Sequence, residues 1–308
     1  MYFGTYDYQA FAVNAANGEI LFRVKTISQP VSTTHIAGDL FLVPQRNGQV
    51  TAFQINNGTL KWNHRSVVEK LEEKIDLSIS GISIFGKNFY ISKHWGNLYI
   101  ANVDTGILVK DAGVTYESRI NLPAIKTESG VLFSNVAGEI HCFKDSTEED
   151  WDYTLPKGYA TALYKQEQTL YIATTENELI ALDLKTRTPK WMRNISGYAF
   201  DSIIIEREIL FIQAKDLFAL NPKTGDLIWR IPSKSEQGFC RGKPIILEDI
   251  IIAIEQNGRI IKAQITDGII QREFPLNETI RSPLSANKSL IFIPTTQKRI
   301  YALDVDLF

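Results

Sequence analysis

One phrase recurs eight times along this chain, and no other property of the sequence restricts its fold as tightly. Ala12-Val13-Asn14-Ala15-Ala16-Asn17-Gly18, Ala181-Leu182-Asp183, Ala219-Leu220-Asn221-Pro222-Lys223-Thr224-Gly225 and Ala302-Leu303-Asp304 are versions of it. Aligned on one residue, the copies fall at Asn14, Gln54, Asn102, Phe143, Asp183, Asn221, Gln264 and Asp304, spaced by 38 to 48 residues. A period near forty in an all-β pattern marks a propeller, in which each repeat is a small sheet packed against its neighbours. The expectation is an all-β, eight-bladed β-propeller of four-stranded antiparallel blades. A seven-bladed ring is the alternative. Equivalent units along the whole length make residues 1–308 a single propeller domain on this reading.

Each repeat resolves into inner, second, third and outer strands. The second is apolar and β-branched or aromatic, as in Leu40-Phe41-Leu42-Val43, Leu170-Tyr171-Ile172-Ala173 and Ile250-Ile251-Ile252-Ala253. A polar turn follows, with Asn47-Gly48, Trp95-Gly96, Ala137-Gly138 or Asn257-Gly258 supplying the positive φ that hairpins need. The third strand carries the repeated phrase and ends in a turn such as Asn57-Gly58 or Thr224-Gly225. Four residues later the outer strand brings Trp62 or Trp229. Trp151 and Trp191 hold the same place where the glycine is replaced, and Phe22 holds it in the first repeat. A ring there can lie across the join between blades and bury about 150–250 Å². Lys110 and Arg272 occupy the place in the third and seventh repeats, so those joins are expected to be less well sealed. The polar residue of the phrase is suited to bond a neighbouring turn.

Composition excludes several classes. Hydrophobic residues are 44% of the chain, enough for a continuous core, and the formal net charge of −2 gives no reason to expect nucleic acid or membrane capture. No run approaches the roughly 18 apolar residues of a membrane span. Met1-Tyr2-Phe3-Gly4-Thr5 lacks the features of a signal peptide. Cys142 and Cys240 read as two buried thiols rather than a disulfide.

The Ala-Leu-Asp…Thr-Gly…Trp phrase resembles the repeat of the PQQ-like (quinoprotein-type) propeller family over essentially the whole chain. That family contains quinoprotein alcohol dehydrogenases and non-catalytic propellers, and this chain looks most like the scaffold of the outer-membrane β-barrel assembly machine. The repeats supply thirty strands, two short of eight complete blades. The missing pair would precede Met1, where the assembly-machine scaffold is similarly closed by an N-terminal strand. A propeller lacking some twenty N-terminal residues is therefore expected. An export signal would lie in that segment, so the compartment is periplasmic or membrane-associated if it exists and cytoplasmic otherwise.

Chemistry is sparse. The adjacent cysteine pair and calcium carboxylates of quinoprotein dehydrogenases have no counterpart, so no cofactor is expected. His35, His64, His94 and His141 fall in four different repeats without the spacing of zinc ligands, so no metal site and no catalytic residue is assigned. Binding features gather instead on one face, where second-to-third-strand turns and the links between blades emerge together. Tyr6, Tyr8, Arg46, His94 and Trp95 lie in the turns, with Lys215 and Lys298. Trp95 stands outside the blade-sealing place and reads as an interface anchor, or as a ring folded onto its neighbour. In the long second link, Val67/Val68, Leu71 and Ile75 have helical spacing, giving a short amphipathic helix that either covers the rim or walls a partner site. Arg119, Arg241 and Arg281 precede inner strands and could ring a channel mouth, holding an acidic peptide or carboxylate, or pairing with nearby acids.

The function expected is a monomeric, non-enzymatic scaffold that binds other proteins, with outer-membrane assembly components as the partners the resemblance implies. Its rigid blades would offer edge backbone and aromatic loops. A quinone- or small-ligand-binding propeller, such as a fragment of a dehydrogenase, and a sensor domain of a larger protein are the alternatives.

Overall fold

The computed structural model describes residues 1–31, 33–65, 79–94, 96–115, 118–128, 130–144, 148–195, 202–240, 242–280, 283–287 and 289–305, with backbone alone for 65, 110–115 and 148–149. It holds thirty strands in eight antiparallel sheets, each a simple meander of consecutive strands. No helix occurs among the described residues. The first sheet (Tyr2–Thr5, Gln9–Val13, Ile20–Lys25) and the last (Ser285–Ala286, Leu290–Pro294, Ile300–Asp304) have three strands, and the six between them have four. This is an eight-bladed β-propeller, and the eight sheets set aside the seven-bladed alternative. The chain divides into two compact units, Met1–Tyr159 and Ala160–Phe308, each with four blades.

The burial of each strand follows its place in the blade. Most second strands read as unbroken apolar runs and are deeply buried, and Leu40–Pro44 and Thr169–Thr174 are buried at every residue. Outer strands face solvent, and Thr188–Asn194 buries only Trp191. The core is accordingly a series of layers between adjacent blades. In unit 1, Leu40, Leu42 and Ala52 of blade 2 pack with Ile82, Phe89, Ile91 and Ala101 of blade 3. In unit 2, Ala173, Leu179 and Ala181 of blade 5 pack with Ile203, Leu210, Ile212 and Phe218 of blade 6.

The repeated phrase builds these seams. Its alanine is small because it lies opposite the sealing aromatic across the strand pair: Ala12 faces Phe22, Ala52 faces Trp62, Ala181 faces Trp191 and Ala219 faces Trp229. Directly ahead of the sealing position, aromatic in five blades and Lys110 or Arg272 in the other two, the outer strand carries one extra residue, a bulge found in all seven third-to-outer pairings. A bulge bends and twists its strand and so re-aims the side chain that follows. The indoles then reach the next blade, Trp62 Nε1 donating to Val103 O, Trp191 to Pro222 O and Trp229 to Ile265 O, each at 2.9 Å. Each ring covers that blade's turn glycine. A Cβ on Gly106, where φ is +69°, would sit 2.6 Å from Trp62, so a side chain is opposed by both backbone and ring. Phe22 covers Gly58 in the same way. The polar residue of the phrase folds the turn: Asn14, Asn102, Asp183 and Asn221 accept backbone N–H bonds from residues two ahead at 2.8–3.0 Å.

Candidate functional site: the loop face

Links and turns form one hydrogen-bonded layer within each unit. The second-to-third turn of a blade donates a backbone N–H to the link that leads into that blade: Arg46 to Gln29 (2.8 Å), Val136 to Arg119 (2.8 Å), Gln256 to Gly238 (3.0 Å) and Thr296 to Thr279 (3.1 Å). Gln29, Arg119, Gly238 and Thr279 are therefore equivalent link positions. Loops held this way are set by the sheets beneath them, which makes them a rigid presenting surface.

In unit 1 the structure brings three of the expected residues together. Tyr6 and Tyr8 lie in the turn of blade 1, 84% and 53% exposed, and Arg46 is exposed in the turn of blade 2. Gln29 joins the two turns, its Nε2 donating to Tyr6 O at 3.4 Å and its Oε1 accepting from Arg46 Nη1 at 3.3 Å. The link holding Gln29 is itself pinned. Thr26 N donates to Tyr8 O (3.0 Å), Val31 N to Pro44 O (2.9 Å) and Ser28 N to the fully buried Gln45 Oε1 (2.7 Å). Ile27, 66% exposed, stands on this pinned link between Thr26 and Ser28.

Tyr8 adopts φ +63°. At the same turn position blades 2, 3, 4 and 7 have Gly48, Gly96, Gly138 and Gly258, all with positive φ. Blades 5 and 8 carry Asn177 (φ +60°) and Lys298 (φ +63°) at that position, and a non-glycine residue there costs about 1–2 kcal/mol. Asp7, exposed between the tyrosines, is bonded within its own hairpin: Gln9 Nε2 donates to Oδ2 at 2.8 Å, and Thr5 Oγ1 bonds Oδ1. Arg46 has no carboxylate beside it among the described residues, Gln29 being its partner.

The other expected residues are placed as follows. His94 is half-buried in the turn of blade 3. Arg119 is exposed at the link position equivalent to Gln29. Trp95, Leu71, Ile75, Arg241 and Arg281 lie outside the described residues, so the second-link helix and two of the three channel-mouth arginines receive no structural description. Cys142 and Cys240 are free and buried. Burial, reinforced by the Glu255 charge, pushes the Cys240 thiol up to about 12. Burial also holds His35 and His64 below the ordinary histidine range, and His141 lies 3.3 Å from Glu139. No group of three metal-ligating side chains occurs among the described residues, and no helix there is long and apolar enough to cross a membrane.

Sequence reasoning missed Ile27, although an isoleucine in the polar run Thr26-Ile27-Ser28-Gln29, beyond the strand alternation, was a legible signal. It also missed a charged network in unit 2. Glu255, fully buried at the end of a second strand, accepts from Arg259 Nη1 at 2.5 Å and from Lys234 N at 2.9 Å. Arg259 also grips Glu273 through Nε (2.9 Å) and Nη2 (2.7 Å), and Lys234 Nζ reaches Glu273 at 3.1 Å. The Arg259 hydrogen bonds, with help from Lys234, pull the Glu273 carboxyl down to about 2.

Comparison with known proteins agrees with this architecture. The model of the family described as outer membrane protein assembly factor BamB matches residues 1–193 and again 122–306. The chain belongs to that family, a PQQ-like propeller family. Among solved structures, the computationally designed Ika8 protein superposes with a TM-score of 0.82 at 13% identity, over 99% of this chain and 92% of that one. BamB from Moraxella catarrhalis superposes with a TM-score of 0.77 at 15% identity, over 98% of this chain and 90% of that one. Identities this low establish likeness of fold. No curated protein matches by sequence.

Proposed function

We propose that this chain is a non-enzymatic scaffold that captures a protein partner on its loop face, and that it serves outer-membrane protein assembly. One observation carries the reading. Tyr6 and Tyr8 project 84% and 53% exposed from a turn tied by hydrogen bonds to the next link. Tyrosine and arginine are enriched at interface hot spots, tyrosine because it buries large area at small entropic cost, and exposed Ile27 adds apolar surface. Membership of the BamB family supports the process. Trp95, Arg119 and His94 would extend the same face toward blades 3 and 4, and Arg241 and Arg281 would add basic groups in unit 2.

The test is a photo-cross-linking amino acid placed at position 6 in cells of the source organism. A control goes at Ile107, 68% exposed in a third-to-outer-strand turn. Position 6 is expected to trap a component of outer-membrane assembly that position 107 does not. Equal labelling, or trapping of nothing at position 6, removes the loop-face reading. A trapped protein from another process removes only the assembly role.

A further inference from the structure

We infer that Tyr6, Tyr8, Ile27 and Arg46 form a docking point for an extended, acidic and apolar segment of the protein partner. This rests on the loop-face reading above and adds the chemistry of what is bound. The side chains belong to one rigid patch, because each stands on backbone fixed by named bonds: Thr26 N to Tyr8 O, Arg46 N to Gln29 O, and Gln29 Nε2 to Tyr6 O. Tyr6, Tyr8 and Ile27 expose 84, 53 and 66% of their surface, so the patch offers apolar area that no described neighbour covers.

Charge selects the occupant. The guanidinium of Arg46 has five donors, and Gln29 Oε1 takes one of them. Three arginines at the turns and adjoining strand ends of unit 2 are matched by acids. Arg259 is bonded to Glu255 and Glu273, Arg299 to Glu278 at 2.8 Å, and Arg230 to Asp216. Arg46 has no such partner among the described residues, and the carboxylate of Asp7, the acid nearest in sequence to the tyrosines, accepts from Thr5 and Gln9 rather than from Arg46. The patch therefore presents donors to a carboxylate beside an apolar surface. A strand-like segment alternating acidic and aliphatic residues satisfies both, its carboxylate forked onto Arg46 and its aliphatic groups against the tyrosine rings and Ile27.

The direct test uses two labelled ten-residue peptides, one alternating Asp and Leu and one alternating Asn and Leu, titrated against the full chain by fluorescence anisotropy. The parent protein is expected to bind the Asp peptide about fivefold more tightly at low salt. Arg46→Glu should abolish that preference, Arg46→Lys should keep part of it, and Ile27→Ser should weaken both peptides alike. Equal binding of the two peptides by the parent, or a preference that survives in Arg46→Glu, overturns the inference. Sequencing the partner segment trapped at position 6 separates the two levels. A trapped segment that is neutral or basic overturns the acidic assignment and leaves loop-face capture standing. If nothing is trapped, both fall.

Discussion

Unit 1 leaves Arg46 without a carboxylate among the described residues and ties it through Gln29 to the turn of exposed Tyr6 and Tyr8. Unit 2 sets Arg230, Arg259 and Arg299, at the ends of its strands and turns on that face, each against an acid, and Arg259 holds two. Beneath these loops the blades are joined alike, since Trp62 of unit 1 and Trp229 of unit 2 make the same indole bond to the following blade at 2.9 Å. One repeat thus supplies the framework twice, and the loops above it differ in how their charges are matched. Where charges are matched internally they hold turns to strands. Where they are unmatched, beside exposed tyrosines, the proposed function assigns them to a partner.

The common framework gives the largest effects. Trp62→Ala and Trp229→Ala should each lower the stability of their unit by about 3–5 kcal/mol, through lost packing and a cavity at the seam. Urea unfolding measures this, and losses that differ by more than about 2 kcal/mol would mean that the two units are not sealed alike.

The charged loops should then separate the units. Arg259→Ala leaves fully buried Glu255 without its guanidinium and should cost about 3 kcal/mol. Arg46→Ala should stay within about 0.5 kcal/mol of the parent. Similar costs at both positions would erase the contrast.

A smaller effect isolates the seam from backbone strain. Gly18 and Gly106 have φ of +76° and +69°, but a Cβ meets nothing within 4 Å at Gly18 and meets Trp62 at 2.6 Å at Gly106. Gly18→Ala should cost about 1 kcal/mol from backbone alone, and Gly106→Ala about 1–3 kcal/mol more. Equal losses would remove the ring from the explanation.

The mildest prediction concerns pH. The folded carboxyl of Glu273 sits at about 2, below its ordinary value of 4.5. A depressed carboxyl contributes stability that is present above the unfolded pKa and is lost as pH falls from about 4.5 through about 2. Glu273→Gln should therefore flatten the acid limb of thermal stability in that window and leave its shape unchanged above pH 6. An unchanged acid limb would show that Arg259 and Lys234 do not hold this carboxylate in solution.

Much of the framework was legible because the repeat expresses local rules. The thirty strands, the sealing tryptophans and the Asn or Asp that folds four of the turns all follow from periodicity and side-chain chemistry within one blade. The bulge ahead of each tryptophan was not legible, since register is a property of two strands. Nor was the reason for Gly106, whose constraint comes from a ring of the preceding blade. Of the candidate site, Tyr6, Tyr8 and Arg46 were recognised as residues of one face. Their union through Gln29, the contribution of Ile27 and the neutralisation of Arg259 by Glu255 and Glu273 depend on which loop lies beside which, and no spacing encodes that.

The central claim is that the loop face of unit 1 is built for binding, whereas the loop charges of unit 2 are built for stability. The most direct measurement is the fraction of the position-6 cross-linked partner retained by immobilised full-length variants, at a temperature where all are folded. Combined Tyr6→Ser, Ile27→Ser and Arg46→Glu should lose at least about tenfold in retention while keeping the parent melting temperature, and Arg259→Ala should melt earlier yet retain the partner fully. Full retention by the triple variant, or loss of retention by Arg259→Ala alone, would contradict it.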